Sequence, residues 1–330
     1  MARLTELIDS VEDMKVLFVG DAIIDEYQYV SPIGKSAKEN MIATLAEDRE
    51  IFAGGVFAAA NHVATFCRHV DIVTSLGDAD AYEDIIRNSL RANIGLHVVR
   101  RPGTPTTRKT RFVDTGYGMR KLFELYTMDD RPLDDGQEAA LNDMIAARIA
   151  QYDVVLVTDF GHGLLNEQTR RLVMENAPFL AVNAQSNAAN HGYNPITKYA
   201  KADYICIDGT EARLAVQDKF ADIPDIADRH LPRLIECAKI IVTHAKQGCY
   251  AYAEGTAAIK IPALTKTVVD TVGAGDAFFA VSAPFVAAGA AIADAGFLGN
   301  VAGAVQVGIV GHRNSVEKIP FVKFLSSLLA

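Results

Sequence analysis

Short apolar runs recur along the chain and alternate with segments of helical pattern. The runs have the length and composition of buried parallel strands. They are Lys15–Gly20, Val70–Thr74, Val154–Thr158, Phe179–Val182, Tyr204–Ile207 and Ile240–Thr243. The helical segments are Val56–Arg68, Tyr82–Arg91, Gln137–Ala150, Gln168–Glu175 and Glu211–Val216. This alternation predicts an α/β fold, a doubly wound and mostly parallel sheet with helices on both faces. Ligands of such folds bind at the carboxyl ends of the strands.

Two segments, at about residues 27–50 and 104–130, interrupt the alternation. Both are polar and divided by turn residues, as extended strands and their hairpins are. We expect them to form a small β-strand lid over the substrate pocket. Because the sequence has no repeat, low-complexity segment or Pro/Ser-rich linker, residues 1–330 are predicted to form a single domain with this lid.

Charge and cysteine content limit the classes of partner and compartment. Asp and Glu number 41 against 32 Lys and Arg, a formal net charge of -9, which argues against general binding to nucleic acid or anionic membranes. The cysteines form no Cys-x-x-Cys pair, so we expect buried thiols in a reducing, cytoplasmic setting. They are Cys67, Cys206, Cys237 and Cys249.

Neither the first residues nor the long apolar stretch near residue 300 suggests membrane targeting. The first residues include Glu6 and Asp9 and no apolar core, so they do not resemble a secretory signal. The apolar stretch from Ala277 to Val310 is interrupted by Pro284, Asp294 and several glycines. It predicts two buried core helices rather than a membrane span.

The run Thr271–Phe278 (TVGAGDAF) combines two glycines, a carboxylate and the start of an apolar helix. Gly273, Ala274 and Gly275 would let backbone N–H groups approach an anion at the helix N-terminus. Asp276 would place a base beside that anion, which is what phosphoryl transfer to an alcohol requires. The alternative is an ordinary helix whose first turn contains an aspartate.

Further carboxylates follow the ends of the predicted strands. Asp21 and Asp25 suit the recognition of hydroxyl groups, although a turn residue and a helix cap would look the same. Asp159 lies beside two glycines, where it could contact substrate. Glu211, with Asp208 before it, could hold Mg²⁺ through water, or could simply be an acid favoured by a helix N-terminus.

The second insertion carries cations within an acidic chain. Lys109 and Arg111 are two residues apart and share a face if the segment is a strand. Paired cations on one face suit a phosphorylated substrate, whereas a charged edge strand is the structural alternative. Gly54 and Gly55, which precede an alanine-rich helix, permit close approach of a ligand.

Taken in order, these motifs resemble the ribokinase-like (PfkB) carbohydrate kinase family over nearly the whole chain. DTVGAGDAF resembles the family's C-terminal motif, and FAGGVFAAANHVA its diglycine motif. The resemblance implies that Asp276 is the catalytic base, with the anion hole at Gly273, Ala274 and Gly275. It implies sugar contacts at Asp21, Asp25, Gly54, Gly55, Asn61 and Asp159. It implies nucleotide contacts at Asp208, Thr243, Lys246, Gly248, Thr271 and Asn300, and a metal bound by Glu211 through water.

Within the family, GDAIIDEY, TRKTRF and TDFGHGLL resemble the heptose 7-phosphate kinase branch. That resemblance implies ATP and Mg²⁺ as cofactors and transfer of the γ-phosphoryl group to the anomeric hydroxyl of a sugar phosphate. Lys109 and Arg111 would bind the distal phosphate. No His-x-Gly-His motif is present, so we do not expect the nucleotidyltransferase activity of fused relatives. The chain departs from the family pattern at Ala58, His162, Asn183, Asp208 and Ala245.

Two alternatives remain open from the sequence. One keeps the kinase but takes an unphosphorylated sugar or nucleoside as acceptor. The other is a catalytically silent sugar- or nucleotide-binding regulator, suggested by the departures at the nucleotide end. The exposed edges of the lid strands also predict a homodimer formed through the lid.

Overall fold

The structure, a computed structural model, describes residues 2–116, 118–265 and 267–329. Its strands are β1 (Lys15–Gly20), β2 (Ala22–Lys35), β3 (Ile42–Gly55), β4 (His69–Ala79), β5 (Ile94–Pro105), β6 (Arg108–Asp114), β7 (Arg120–Thr127), β8 (Val154–Asp159), β9 (Leu180–Ala184), β10 (Tyr204–Asp208), β11 (Lys239–Thr243), β12 (Cys249–Ala253) and β13 (Ile259–Ile261). Its helices are α1 (Ala2–Ser10), α2 (Val56–Val63), α3 (Glu83–Ser89), α4 (Asp135–Ala146), α5 (Glu167–Asn176), α6 (Gly209–Ala215), α7 (Ile223–Asp225), α8 (Leu231–Leu234), α9 (Ala274–Ala287), α10 (Ile292–Gln306) and α11 (Lys318–Leu329).

The main sheet has nine strands in the order β13-β12-β11-β10-β9-β8-β1-β4-β5. All neighbours are parallel from β5 to β11, and β12 and β13 are antiparallel additions at one edge. Each predicted strand and helix is present, and the predicted α/β fold is confirmed. The sequence did not predict β5, β12 or β13. The strands β5 and β13 are the two edges of the sheet and carry charged or half-exposed side chains, and β12 (CYAYA) has no run of branched apolar residues.

Alternate residues of the central strands enter two separate cores. On β1, Val16 and Phe18 pack with the helices α1, α2, α9, α10 and α11 on one face of the sheet. Leu17 and Val19 pack with α4 to α8 on the other. The strands are therefore buried on both faces, as their continuous apolar runs require.

A second sheet of four strands, in the order β3-β2-β6-β7, forms the lid. It is made of residues 22–55 and 108–127, so its first part is wider than the predicted insertion at about 27–50. A single residue, Asp21, separates β2 from β1, and β3 runs directly into α2. In the parallel β2–β6 pair, Asp25 lies opposite Lys109 and Tyr27 opposite Arg111. The lid thus joins Asp25 and the predicted cations in one strand pair.

The long apolar stretch near the C-terminus folds as the two helices α9 and α10, which pack on each other in one core. Among the described residues, no helix combines the length and the apolar character needed to cross a bilayer. All four cysteines are buried and unpaired, as predicted.

Candidate active site

A cavity of about 890 Å³ opens between the strand ends of the main sheet, the inner face of the lid and the N-terminus of α9. Most of the predicted site residues line this cavity. They are Asp25, Gly55, Lys109, Arg111, Asp208, Glu211, Thr243, Lys246, Gly248, Thr271, Gly273, Ala274, Gly275, Asp276 and Asn300.

The helix α9 begins at the cavity because of the backbone conformation of Gly273. This residue has φ +76°, in the left-handed region that glycine tolerates. The turn is followed by free helix-terminal donors, since the N–H groups of Gly275 and Asp276 have no hydrogen-bond partner among the described residues. A Cβ built on Gly275 would meet no atom within 4 Å. The N-terminus is therefore open to an anion and carries the positive end of the helix dipole.

Asp276 occupies the first turn of the same helix, next to those donors. Its carboxylate makes no hydrogen bond or ion pair with any residue that the structure describes. Burial raises the pKa of Asp276, and Asp25 adds to the rise while His312, Lys109 and Arg111 oppose it. A half-buried, unpaired carboxylate with a raised pKa is suited to accept a proton from a bound hydroxyl.

Asp25, in contrast, is held on both oxygens. Arg111 forms an ion pair with Oδ1, and His312 Nε2 lies 3.2 Å from Oδ2. Although burial alone would raise it, Arg111 and the hydrogen bond from His312 hold the pKa of Asp25 well below its usual range. Asp25 is thus a fixed, ionised acceptor with lone pairs remaining for the hydroxyl groups of a ligand.

The two predicted cations of the lid differ in how far they are neutralised. Arg111 also donates from Nε to Glu124 at 2.7 Å, so two carboxylates face its guanidinium. Lys109 is 5% exposed, and its ammonium lies 5.4 Å from the ring centre of Tyr126 and 5.7 Å from that of Phe160. It forms no hydrogen bond or ion pair with the described residues.

The charge environment of Lys109 follows from this placement. Burial, with Arg111 adding to it, lowers the pKa of Lys109, and the carboxylates of Asp25 and Asp276 oppose that shift. An ammonium left without a partner in a partly dry cavity gains most from an anionic ligand.

Asp208 and Glu211 form a capping box at the start of α6. Asp208 Oδ1 accepts the N–H groups of Thr210 and Glu211, both at 2.7 Å. Glu211 in turn accepts from Asp208 N at 2.7 Å and from Ser186 N at 2.9 Å. The structural interpretation of these acids is therefore correct, and it coexists with their position on the cavity wall.

The carboxylates at this end of the cavity suit a divalent cation. Burial raises the pKa of Glu211 to about 8, and the charges of Asp208 and Asp276 contribute to the shift. A cation would relieve this repulsion. In the described part of the chain, no three acidic, His or Cys side chains converge to hold a metal by themselves. The residues therefore fit Mg²⁺ only as an ion shared with phosphate oxygens and water, which is its usual coordination in such sites.

Two of the strand-end aspartates do not line the cavity. Asp21 accepts backbone N–H groups from the loop after β8, at 2.8 Å from Phe160 and about 3.4 Å from Leu164. Burial, together with the neighbouring Asp159, raises the pKa of Asp21. The geometry thus gives Asp21 a structural role in shaping the loop, in place of the sugar contact that the sequence suggested.

Asp159 is likewise engaged within the protein. Its carboxylate accepts hydrogen bonds from Tyr199 and Asn194 and forms an ion pair with Lys198. It borders a separate open cavity of about 400 Å³ on the far side of its loop. A carboxylate at a strand end can turn either way, and the sequence does not distinguish the two orientations.

The residues of the diglycine motif also differ in whether they face the main cavity. A Cβ on Gly54 would lie 1.9 Å from Asp25 Oδ2, so glycine is required for the carboxylate to pack there. Asn61 faces away from the main cavity and connects α2 to the end of α3, through Ser89 O and Arg91 N, each at 3.1 Å. Its predicted sugar contact has no support in this geometry.

Sequence reasoning did not identify Asp270, which joins the lid to the anion-binding turn. Its buried carboxylate accepts from Tyr27 Oη and Lys121 Nζ of the lid, each at 2.6 Å. It also accepts from Val272 N at 3.1 Å and Gly311 N at 2.9 Å. Its position in the motif DTVGAGDAF was the available signal, but its partners are distant in sequence.

The family model for pfkB family carbohydrate kinases matches residues 13–319 of the chain. The chain belongs to the pfkB carbohydrate kinase family. The cavity that contains the N-terminus of α9 and the carboxylate of Asp276 is the candidate active site.

Alignments with curated relatives cover most of the chain. The chain is 30% identical over 311 residues to bifunctional protein HldE of Bradyrhizobium diazoefficiens. The alignment covers 92% of this chain and 62% of the relative. Bifunctional protein HldE of Rhodopseudomonas palustris is 29% identical over 314 residues, with 93% and 62% covered. The chain therefore spans about 62% of the length of the curated relatives it matches.

Solved structures with low sequence identity share the fold. Phosphofructokinase-2 from Escherichia coli in complex with substrates and products superposes with a TM-score of 0.75 at 13% identity, covering 96% of this chain and 100% of that one. Arabidopsis thaliana ribokinase complexed with ribose and ATP gives a TM-score of 0.70 at 16% identity, covering 95% and 99%. These similarities confirm the ribokinase-like fold.

The raised pKa of Glu211 predicts a pH-dependent stability. Between an unfolded value of 4.5 and a folded value of about 8, the folded protein keeps a proton that the unfolded chain has released. The contribution of Glu211 to stability is therefore complete at low pH and falls as pH rises towards about 8. Without nucleotide or Mg²⁺, we expect the melting temperature of the wild type to fall more steeply from about pH 6 to pH 8 than that of Glu211→Gln.

The comparison of the two proteins isolates this one group, because every other titrating residue is common to both. The substitution also weakens the capping box, so only the slope against pH is compared, not the absolute melting temperature. Parallel melting curves over that range would contradict the assignment.

Proposed function

We propose that this kinase transfers the γ-phosphoryl group of ATP to a hydroxyl of a sugar phosphate, and that the acceptor is the anomeric hydroxyl of a heptose 7-phosphate. The observation that carries the proposal is the position of two charged groups in one cavity, the carboxylate of Asp276 beside the open N-terminus of α9 and the ammonium of Lys109. Neither group has a partner among the residues that the structure describes. The heptose is suggested by the HldE relatives and by the motifs that resemble the heptose 7-phosphate kinase branch.

In the proposed reaction, Asp276 takes the proton of the acceptor hydroxyl while the hydroxyl oxygen attacks the γ-phosphorus of ATP. The bond from that phosphorus to the bridging oxygen breaks, and ADP leaves with the electron pair. The N–H groups of Gly275 and Asp276 face the charge that develops on the transferred group, a preorganised arrangement that costs no reorganisation in the transition state.

The nucleotide end of the cavity is assigned to ATP. Asp208, Thr243, Lys246, Thr271 and Asn300 line this end. Glu211 and Asp208 would hold Mg²⁺ through water, and when bound the ion neutralises phosphate charge. The ribokinase-type family uses ATP, which supports this assignment.

The acceptor end is assigned to the sugar phosphate. Asp25 is fixed and ionised by Arg111 and His312, so it suits sugar hydroxyls as an acceptor. Of the two predicted phosphate ligands Lys109 and Arg111, Lys109 is the one that lacks a partner among the described residues, and it suits the distal phosphate. Arg111 was predicted to share this role, but Asp25 and Glu124 already neutralise it, so its contribution is to orient Asp25.

Substitution of the proposed base tests the reaction. Asp276→Asn removes proton acceptance with little change in shape, and we expect kcat to fall roughly 10²–10⁴-fold. Binding of ATP, followed by calorimetry, should change little. Asp294→Asn is the matched control, because Asp294 occupies the same position in the first turn of α10 but pairs with Arg3 at the surface. Wild-type turnover of Asp276→Asn would show that another group is the base.

Replacement of Lys109 separates phosphorylated from unphosphorylated acceptors. Lys109→Met keeps the length and apolar stem but removes the charge. We expect the KM for heptose 7-phosphate to rise roughly 10–100-fold, the loss of a hydrogen bond between charged groups. The KM for the heptose without its phosphate should stay nearly constant in steady-state ADP-release assays.

Arg108→Met is the control for this measurement. Arg108 is the neighbouring residue on β6 and contacts Glu26 and Tyr82 instead of the cavity. An equal rise in KM for both acceptors with Lys109→Met would favour the alternative of an unphosphorylated substrate.

We also propose that two copies of the kinase associate through their lids. Exposed large apolar side chains occur on three of the four lid strands, including both edge strands. They are Ile33, Ile42, Leu45, Phe123 and Leu125, each at least 52% exposed. Edge strands with exposed apolar side chains favour pairing with another chain, and a two-fold dimer would cover them.

A charge placed on the lid edge tests the dimer. We expect light scattering to give the mass of a dimer for the wild type and of a monomer for Leu45→Glu, because a buried charge in the interface has no partner. Leu214→Glu is the control, since Leu214 is exposed on α6, away from the lid. A monomeric wild type, or an unchanged dimer in Leu45→Glu, would contradict the proposal.

A further inference from the structure

The segment 311–313, which follows α10, lies along the inner face of β2. Gly311 N donates to Asp270, which also binds the hydroxyl of Tyr27. Arg313 Nε donates to Glu50 of β3 at 2.8 Å. His312, between them, reaches Asp25. Three consecutive residues of this segment are therefore attached to the lid, directly or through Asp270.

His312 itself packs against both glycine motifs of the active site. A Cβ built on Gly273 would lie 2.5 Å from His312 Cε1, and one on Gly54 would lie 3.4 Å from Cδ2. The imidazole, whose side chain is 6% exposed, thus fills the space between the diglycine turn and the anion-binding turn. Its thickness sets how far apart these two backbone segments are.

The same ring completes the hold on Asp25. Arg111 binds Oδ1 and His312 binds Oδ2, so the carboxylate is fixed from two sides that belong to different elements. Neither contact alone fixes the orientation of the carboxylate plane.

We propose that His312 is a positioning residue of the kinase. It fixes the orientation of Asp25 for the acceptor hydroxyls and sets the spacing between Asp25 and the anion-binding turn at Gly273. The proposal rests on the roles proposed above for Asp25 and Asp276, and it adds a residue outside every motif identified in the sequence.

The surroundings of His312 support this role over a purely structural one. His312 borders the main cavity on one side and a second cavity of about 300 Å³ on the other, where Ala58 is also part of the wall. Among the described residues, Arg111 and His312 are the two side chains that bind the carboxylate of Asp25.

Two substitutions separate the donor of His312 from its volume. His312→Gln places an amide donor near the position of Nε2, whereas His312→Leu keeps most of the volume without a donor. The acceptor should be the one that gives the fastest ADP release among sugars and sugar phosphates. We expect His312→Leu to raise its KM roughly 10–100-fold, the loss expected for a hydrogen bond to a charged group. The KM for ATP should change little, and His312→Gln should recover most of the loss.

Arg313→Gln serves as the matched control. It lies in the same segment and loses the ion pair with Glu50, but it does not touch Asp25. It should leave the acceptor KM close to that of the wild type. If His312→Leu and His312→Gln behave alike, or if Arg313→Gln produces the same rise, His312 has no specific role through Asp25 and the proposal is wrong.

A second measurement does not depend on the acceptor. Melting temperatures of the wild type, His312→Leu, Asp25→Asn and the double variant form a cycle that reports the coupling of the two side chains. We expect clearly non-additive effects, and additive effects would overturn the proposal. Asp276→Asn, measured in parallel, distinguishes failure of the positioning role from failure of the proposed base. An inactive Asp276→Asn with a normal His312→Leu rejects only the positioning role, whereas an active Asp276→Asn rejects the proposed base.

Discussion

The carboxylate of Asp270 connects the parts from which the active site is assembled. It accepts two hydrogen bonds from lid side chains and two from backbone N–H groups, one of them in the turn before α9. A buried carboxylate is stable only when such donors satisfy it, so the lid, the anion-binding turn and the segment 311–313 must meet at this point. Lys121, Tyr27 and Gly311 together hold the pKa of Asp270 below its usual value despite burial.

The lid contributes side chains to the candidate active site in addition to covering it. The strand β2 provides Asp25 and Tyr27 from one face, because alternate residues of a strand point to the same side. Asp25 enters the cavity, and Tyr27 binds Asp270. A displacement of the lid would therefore move the carboxylate of Asp25 relative to the N-terminus of α9.

Local sequence patterns were sufficient to predict the fold and the position at which α9 begins. Apolar runs separated by helical segments predicted the parallel sheet, and the turn at Gly273 predicted the start of α9, because both depend on neighbouring residues. The direction in which a strand-end carboxylate points depends instead on residues that are distant in the sequence. Asp21, Asp25 and Asp159 have similar sequence settings, yet only Asp25 lines the main cavity, since Arg111 and His312 draw it there.

The same limit applies to charge. Lys109 and Arg111 share a face of β6, as their spacing predicted. Glu124 on β7 neutralises Arg111 and does not pair with Lys109. The pairing of β6 with β7 decides this, and it could not be derived from the sequence of β6. His312 was missed for a related reason, because a single residue in a loop has no periodicity and its partner lies far away in the chain.

The most direct measurement is ADP release with heptose 7-phosphate and with the same heptose lacking its phosphate, followed by phosphorus NMR of the product. A sugar-phosphate kinase should release one ADP for each bisphosphate formed, with the new phosphate on the anomeric oxygen. Its kcat/KM should be at least about 10-fold higher for the phosphorylated acceptor, the contribution expected of one charged contact. Nucleotide binding without ADP release across sugars and sugar phosphates would contradict the proposed reaction and favour a regulatory protein.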